Sequence, residues 1–440
     1  MTLEKVFPLS ITKVLLLSLM LVRVPARAQS APEAAPAPDT VAQSGLAVYR
    51  DLLNPVLDAA DVHTIRQASL DREDLHLSLS DGTVALIRAV DGHITGVVFE
   101  GVGEILLIAP TRSERTSLAL FTGSAILEQR FTTAYLRFAD DSMARDLQAA
   151  FRAPAKDEAQ DFVARWQAPL RELARGDALQ LFQALSNSGD ASSRFVHARL
   201  GGTQLGIFDV YLDTNSQEQI SVAQPAISNK QAFYDVWASF PMRSLRDSAA
   251  SATAPQQPRF ELSDYRLNLV VSPPTDLSAQ AEFSITAHRA GQRVVILELS
   301  RYLRVSEVRM NGNPVAFIQN EAISGSDLER RGDDLVGLLL PQPLQKDQPA
   351  RLAFKYAGPV MFEAGGDLLY VGSRGTWYPN AGPMFAKFDL TFDYPEDWTL
   401  VATGKESTTS VTAGRRTTRF VAEKPISRAG FNLGRFETAE

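Results

Sequence analysis

Tyr265-Arg-Leu-Asn-Leu269 sets Tyr265, Leu267 and Leu269 on one side of an extended chain and Arg266 and Asn268 on the other. Successive side chains of a strand point to opposite faces, so this alternation predicts a half-buried strand. Glu282-Phe-Ser-Ile-Thr286 repeats the pattern, and residues 294–299 form a short apolar run. Residues 308–310 are placed to meet 315–317 across Asn311-Gly312, a dipeptide suited to a tight hairpin. Further strands are expected at 335–340, 352–356, 388–392, 400–403, 418–421 and 431–436. Turn signals separate many of them at the spacing of about 8–12 residues found in sandwiches. No helical period of any length interrupts them, so residues 259–440 read as an all-β sandwich.

Upstream, residues 248–258 (Ser-Ala-Ala-Ser-Ala-Thr-Ala-Pro-Gln-Gln-Pro) hold no bulky apolar side chain, and 246–258 read as a linker. Residues 45–245 mix two periods. Leu75, Leu77 and Leu79 alternate with polar residues, and Asp81-Gly82 and Asp91-Gly92 suggest hairpin turns into strands at 84–90 and 94–99. Strands are also expected at 105–108, 117–121, 134–138, 195–199 and 204–212. Between them Met143, Leu147, Ala150 and Phe151 share a helical face behind an Asp140-Asp141-Ser142 cap. Phe162, Val163, Trp166, Leu170 and Leu173 predict a second helix broken at Pro169, and Leu179, Phe182 and Leu185 a short third. Strands first and helices after make this an α+β domain.

At 440 residues the chain has room for about three domains. Charged residues at 22% and hydrophobic residues at 45% exclude wholesale disorder and coiled-coil repeats. A net charge of −7 argues against a nucleic-acid binder. The absence of cysteine removes disulfides, Cys-ligated zinc, iron–sulfur clusters and a thiol nucleophile. Lys5 and Lys13, the apolar run 14–22 and Ala26-Arg27-Ala28 read as a signal peptide over residues 1–28. That run is too short for a bilayer core about 30 Å thick, so no transmembrane span is expected after its removal. A periplasmic or extracellular location follows. Residues 29–44, rich in Ala and Pro, read as a disordered tether.

Motifs for chemistry are sparse. His63, His76, His93, His197 and His288 are scattered, none lies in an H-E-x-x-H sequence, and each reads as a surface or strand histidine. Gly101-Val102-Gly103 lacks the third glycine and the following helix of a dinucleotide loop, and reads as a bend between strands. Asp327, Glu329, Asp333 and Asp334, mixed with Arg330 and Arg331, lack calcium-loop spacing and read as a solvated loop. Trp377 and Tyr378 are the candidate partner or substrate-cleft contacts. No catalytic, cofactor-binding or metal-binding residue is assigned.

Taken in order, these motifs resemble a known family. Tyr265-Arg-Leu-Asn-Leu269, the run 294–299 and Val308-Arg-Met-Asn-Gly-Asn-Pro-Val315 are similar to early strands of the N-terminal β-sandwich of M1-type zinc aminopeptidases. Trp377-Tyr378-Pro379, Lys387, Phe388-Asp-Leu-Thr-Phe392, Trp398-Thr-Leu-Val-Ala-Thr-Gly404, Phe420, Pro425 and Phe431-Asn-Leu-Gly-Arg-Phe436 follow in the family's order. The resemblance implies a sandwich that packs on a catalytic domain and covers one side of the substrate cleft. In the family the G-A-M-E-N-like loop and the H-E-x-x-H zinc helix come after this sandwich, so no zinc ligand or general base carries over. Zinc is expected only in a catalytic domain absent from this chain.

After Pro379 the family usually has Cys, an acidic pair and Pro, where this chain has Asn380, Ala381, Gly382, Pro383 and Met384. The Gln or Glu that grips the substrate α-amine has no counterpart between Glu363 and Pro379. Ordinary aminopeptidase specificity is therefore not implied. The first unit is similar to an extra upstream domain of some exported bacterial relatives.

Two functions follow as expectations. One is the non-catalytic N-terminal portion of an exported M1-like metallopeptidase, partnered in cis by its catalytic domain. The alternative is a complete exported binding or scaffold protein that recognises a peptide or protein partner. The first predicts an exposed apolar flank on the sandwich.

Overall fold

In the computed structural model, which describes residues 38–187, 194–228, 231–247, 258–382 and 384–435, the N-terminal half is built on one antiparallel sheet. Its strands are β1 (Leu57–Arg72), β2 (Leu75–Ile87), β3 (Gly96–Leu107), β4 (Leu127–Phe138), β5 (Phe151–Pro154), β6 (Phe195–Gly202), β7 (Gly206–Asp213), β8 (Ile220–Ser228) and β9 (Gln231–Phe240). They lie in the order β5-β1-β2-β3-β4-β6-β7-β8-β9. Five helices accompany them: α1 (Pro38–Leu53), α2 (Arg112–Thr122), α3 (Asp141–Ala149), α4 (Ala159–Ser186) and α5 (Arg243–Arg246). Alternate residues such as Leu77, Phe99, Leu136, Ala198, Val210 and Trp237 turn inward to one core shared by strands from β1 to β9. The segment after β9 reaches back to the turn between β1 and β2. Arg246 grips Asp74 through two hydrogen bonds of 2.8 and 3.0 Å, and Glu73 accepts from the Ser244 amide and hydroxyl.

Several local expectations give way here, each for a physical reason. Asp81-Gly82 is not a turn: β2 runs through it at a bulge, and Gly82 is needed because it faces Gly101 across β3. The turn lies earlier, at Glu73-Asp74, with Glu73 at φ 54. Asp91-Gly92 is a tight turn as expected, with Val90 and His93 exchanging backbone hydrogen bonds. The bend expected at Gly101-Val102-Gly103 is a second bulge inside β3.

Residues 117–121 are helical, not extended. Thr111 and Glu114 form a reciprocal capping box, and Gly123 ends α2 in the left-handed conformation at φ 75. Pro169 does not break α4, a single helix of 28 residues. Phe162, Trp166, Leu170 and Ala174 are buried on both sides of it, and that packing outweighs the missing donor. Asp140 caps α3 as expected, but Phe151 belongs to β5. Residues 38–44 of the expected tether lie in α1, whose far end is anchored by buried Tyr49 and Leu52. Residues 1–37, where the signal peptide is expected, and most of the expected linker lie outside the described residues.

The C-terminal half contains β10 (Phe260–Ser272), β11 (Asp276–Ala287), β12 (Val294–Ser300), β13 (Arg304–Met310), β14 (Asn313–Pro314), β15 (Ala316–Asn320), α6 (Asp327–Arg331), β16 (Asp333–Leu339) and β17 (Pro349–Gly358). It continues through β18 (Phe362–Glu363), β19 (Leu369–Tyr370), β20 (Ala386–Pro395), β21 (Thr399–Ala402), β22 (Lys405–Thr412), β23 (Arg415–Ile426) and β24 (Phe431–Gly434). An eight-stranded sheet, β14-β13-β17-β11-β10-β20-β23-β22, shares one core with the three-stranded sheet β12-β16-β15 and the four-stranded sheet β18-β19-β24-β21. The described chain is thus β-rich.

The apolar runs at 294–299 and 335–340 are now explained, because the three-stranded sheet is buried on both faces. Val295, Leu297, Leu299, Val336 and Leu338 enter the core shared by the three C-terminal sheets. Val294, Ile318 and Leu339 turn the other way, onto Tyr49 and Leu52 of α1 and Ala178, Leu179 and Phe182 of α4. The contact is close: a Cβ on Gly337 would stand 2.6 Å from Leu179, and one on Gly176 2.8 Å from Ile323. Polar ties reinforce it. Gln183 donates to the Val294 carbonyl at 3.0 Å, and the Asn187 side chain accepts from the Arg293 and Val294 amides. The described residues from 38 onward therefore form one compact body, with α4 as the layer between the N-terminal sheet and the three-stranded sheet.

Candidate functional site

The densest cluster of buried ionisable groups lies where α4 crosses the outer face of the N-terminal sheet. Because β4, β6 and β7 alternate, Tyr135, His197, Arg199, Asp209 and Tyr211 point outward while Leu136, Ala198 and Val210 point into the core. α4 lowers Asp177 onto this row. The His197 Nδ1 lies 2.8 Å from Asp177, and its Nε2 lies 3.0 Å from Asp209. Tyr135 donates its hydroxyl to Asp177 at 2.7 Å. Arg199 donates twice to Asp209, each bond 2.6 Å, and once to Tyr234. Asp177, His197 and Asp209 are 1%, 2% and 0% exposed.

A ring whose two nitrogens both face carboxylates donates from both, which makes it an imidazolium. Burial alone would lower its pKa, but Asp177 and Asp209 outweigh burial and raise it to about 9. Burial would likewise raise Asp209, yet Arg199 and His197 hold it below the ordinary carboxylate range. The Tyr211 ring stacks on the imidazolium at a centroid distance of 4.1 Å. With no free lone pair and no solvent access, His197 is placed as a tie between layers, not as a base or a metal ligand.

Of this cluster the sequence offered little. His197 and Arg199 alternate on one strand and Asp209 falls on the next, but Asp177 sits inside the apolar period of a helix with no local signal. The other histidines lie as expected on strands or at the surface, His76 beside Asp71 and His93 beside Asp141.

The acidic cluster at 327–334 is a correction: it is not a solvated loop. α6 is capped by Ser326, and Asp333 and Asp334 are buried. Asp333 accepts from the Thr376 amide and Asp334 from the Ala322 amide. Burial raises Asp333. It pins the segment that leads into Trp377. Among the described residues no group of three or more His, Asp or Glu side chains is arranged to hold a metal ion, and no helix is long and apolar enough to cross a membrane.

Trp377 and Tyr378 are brought together, with ring centroids 5.0 Å apart, and both are buried. The Trp377 indole donates to the Ala429 carbonyl at 2.9 Å, and the Tyr378 hydroxyl accepts from the Ala429 amide. Their rings pack on Phe431, Tyr265 and Phe388. Trp377→Ala is expected to cost about 3–5 kcal/mol of stability through the cavity it leaves. Urea unfolding checks this; a loss below about 1 kcal/mol, within the range of a surface substitution, would return Trp377 to a contact role.

The class these elements define is a β-rich chain of several sheets with a few helices, one of which, α4, lies between the N-terminal sheet and the three-stranded sheet. No family model and no curated protein matches it. Among solved structures it is similar to an M1 zinc metallopeptidase from Deinococcus radiodurans, at 23% identity and a TM-score of 0.34, over 40% of this chain and 43% of that one. A mutant of that enzyme bound to a Tyr-Ser-Ala substrate matches at 25% identity and a TM-score of 0.34, over 40% and 42%. The chain spans less than half the length of these enzymes.

Proposed function

We propose that the chain is a non-catalytic portion of an exported M1-like zinc metallopeptidase, a scaffold that packs on a catalytic domain and shapes its substrate cleft. The observation that supports this reading is the convergence of the separated family-like motifs in one aromatic core. Tyr265 stacks on Phe388 at 5.0 Å and donates its hydroxyl to the Pro379 carbonyl at 2.9 Å. Trp377 and Phe392 both meet Phe431. Residues that resemble the family in sequence thus support one another in space. The exposed side chains of Phe385 and Val401 on the sandwich are available for an apolar contact. The test measures turnover of aminoacyl reporters and zinc retention by the purified protein, alone and with a separately produced M1-type catalytic domain. We expect no turnover alone, and binding with a several-fold lower KM for a tripeptide in the mixture. Stoichiometric zinc with turnover by the chain alone would overturn the reading.

A second reading, a binding module for extended peptides, is favoured by β22. It is an edge strand with every side chain exposed, beside a groove of about 840 Å3 lined by Lys405, Arg419 and Lys424 among others. Peptide binding lost on Val411→Pro, with no affinity for the catalytic domain, would select it.

A further inference from the structure

The His197 cluster stands apart from the proposed peptidase role and lies between the two halves of the body. We propose that His197 is a proton-operated tie: doubly protonated, it locks α4 to β6 and β7, and loss of one ring proton loosens the seating of the three-stranded sheet on α4. The argument begins with the donors. The imidazolium supplies two N–H groups to two fixed carboxylates. The neutral ring supplies one, and its free lone pair then faces a carboxylate oxygen at about 3 Å in a site closed to water.

The two carboxylates differ in what else holds them. Asp209, on β7, keeps both bonds from Arg199 on β6. Among the described residues, Asp177 then keeps the neutral Tyr135 hydroxyl as its side-chain donor. The weaker side is therefore the one that joins the helix to the sheet.

Every element around the ring contributes a titratable or charged group: Asp177 from α4, Tyr135 and Arg137 from β4, Arg199 from β6, Asp209 and Tyr211 from β7, and Tyr234 from β9. Burial holds Tyr135, Tyr211 and Tyr234 above their ordinary values, so the phenols stay neutral as His197 titrates. Arg199 stays charged. The proton on His197 is thus the first in the cluster to leave as pH rises.

Its loss reaches the sandwich through α4. The helix turn after Asp177 carries Leu179 against Gly337, and Gln183 and Asn187 at its end bind the backbone of β12. The ring's pKa in the folded protein, about 9, lies above the ordinary 6.5. Its contribution is therefore complete below about pH 6.5 and lost as pH rises through about 9.

The experiment is amide hydrogen exchange of the full protein between pH 6 and 10, corrected for intrinsic rates. Peptides from 170–187 and β12 are compared with β10–β11 as an internal reference. Protection in the first two is expected to fall about tenfold or more across this range, with the reference unchanged. In His197→Gln it should be low throughout and independent of pH. The same pH profile in wild type and variant, or a flat wild-type profile, overturns the proposal. Should His197→Gln fail to fold, the wild type decides through the ring 13C signal of His197. A titration midpoint well above 6.5 supports the tie, and one at or below 6.5 sinks it.

Discussion

Asp209→Ala is expected to destabilise the protein by about 3–5 kcal/mol, because it strips the shared partner from two buried or half-buried cations. Asp209 is fully buried and accepts from the His197 Nε2 and twice from Arg199. Without it the imidazolium keeps one carboxylate and the guanidinium keeps Tyr234. Tyr135→Phe removes only a neutral donor from Asp177, which retains His197, and should cost about 1–2 kcal/mol. Urea unfolding monitored by tryptophan fluorescence ranks the two. Equal losses, or less than about 1 kcal/mol for Asp209→Ala, the range of an exposed pair, would mean that the cluster contributes no more than a surface ion pair.

Gly101→Val should rival that effect by a different route. Its φ of 156 lies at the rim of the region that side chains avoid, and a Cβ there would stand 2.2 Å from the Asp81 carbonyl oxygen and 2.5 Å from the Gly82 Cα. Both obstacles are backbone and cannot rotate away. Strain and overpacking together predict a loss of about 4 kcal/mol. Gly123 is the comparison: its φ is 75, but nothing lies within 4 Å of an added Cβ. Gly123→Ala should cost only about 1 kcal/mol. Thermal unfolding of both variants checks the contrast, and a Gly101→Val protein as stable as Gly123→Ala would remove crowding as the cause.

These glycines also show why local signals misled. Asp81-Gly82 carries the chemistry of a turn, yet its glycine serves a close approach between β2 and β3 that no window of sequence reveals. The helix α2 was legible in principle, since Thr111-Arg-Ser-Glu114 is a capping-box pattern and Gly123 a C-terminal stop. Pro169 was not, because what keeps α4 whole is burial on either side of the proline against a sheet whose strands lie far away in sequence.

Most of the extended segments, and which side of them is apolar, were legible locally, residues 117–121 excepted. Alternation along 265–269 and 282–286, the Asn311-Gly312 and Asp91-Gly92 turns, and the Asp140 cap depend on neighbours a few residues away. The doubly buried runs 294–299 and 335–340 showed their apolar content there too, but not the layer that covers their second face. The packing of distant segments put α4 in that layer and brought His197 between Asp177 and Asp209. The physical reason is range. Hydrophobic burial and buried charge pairing act between surfaces that the chain brings together from any separation, so their partners leave no local pattern.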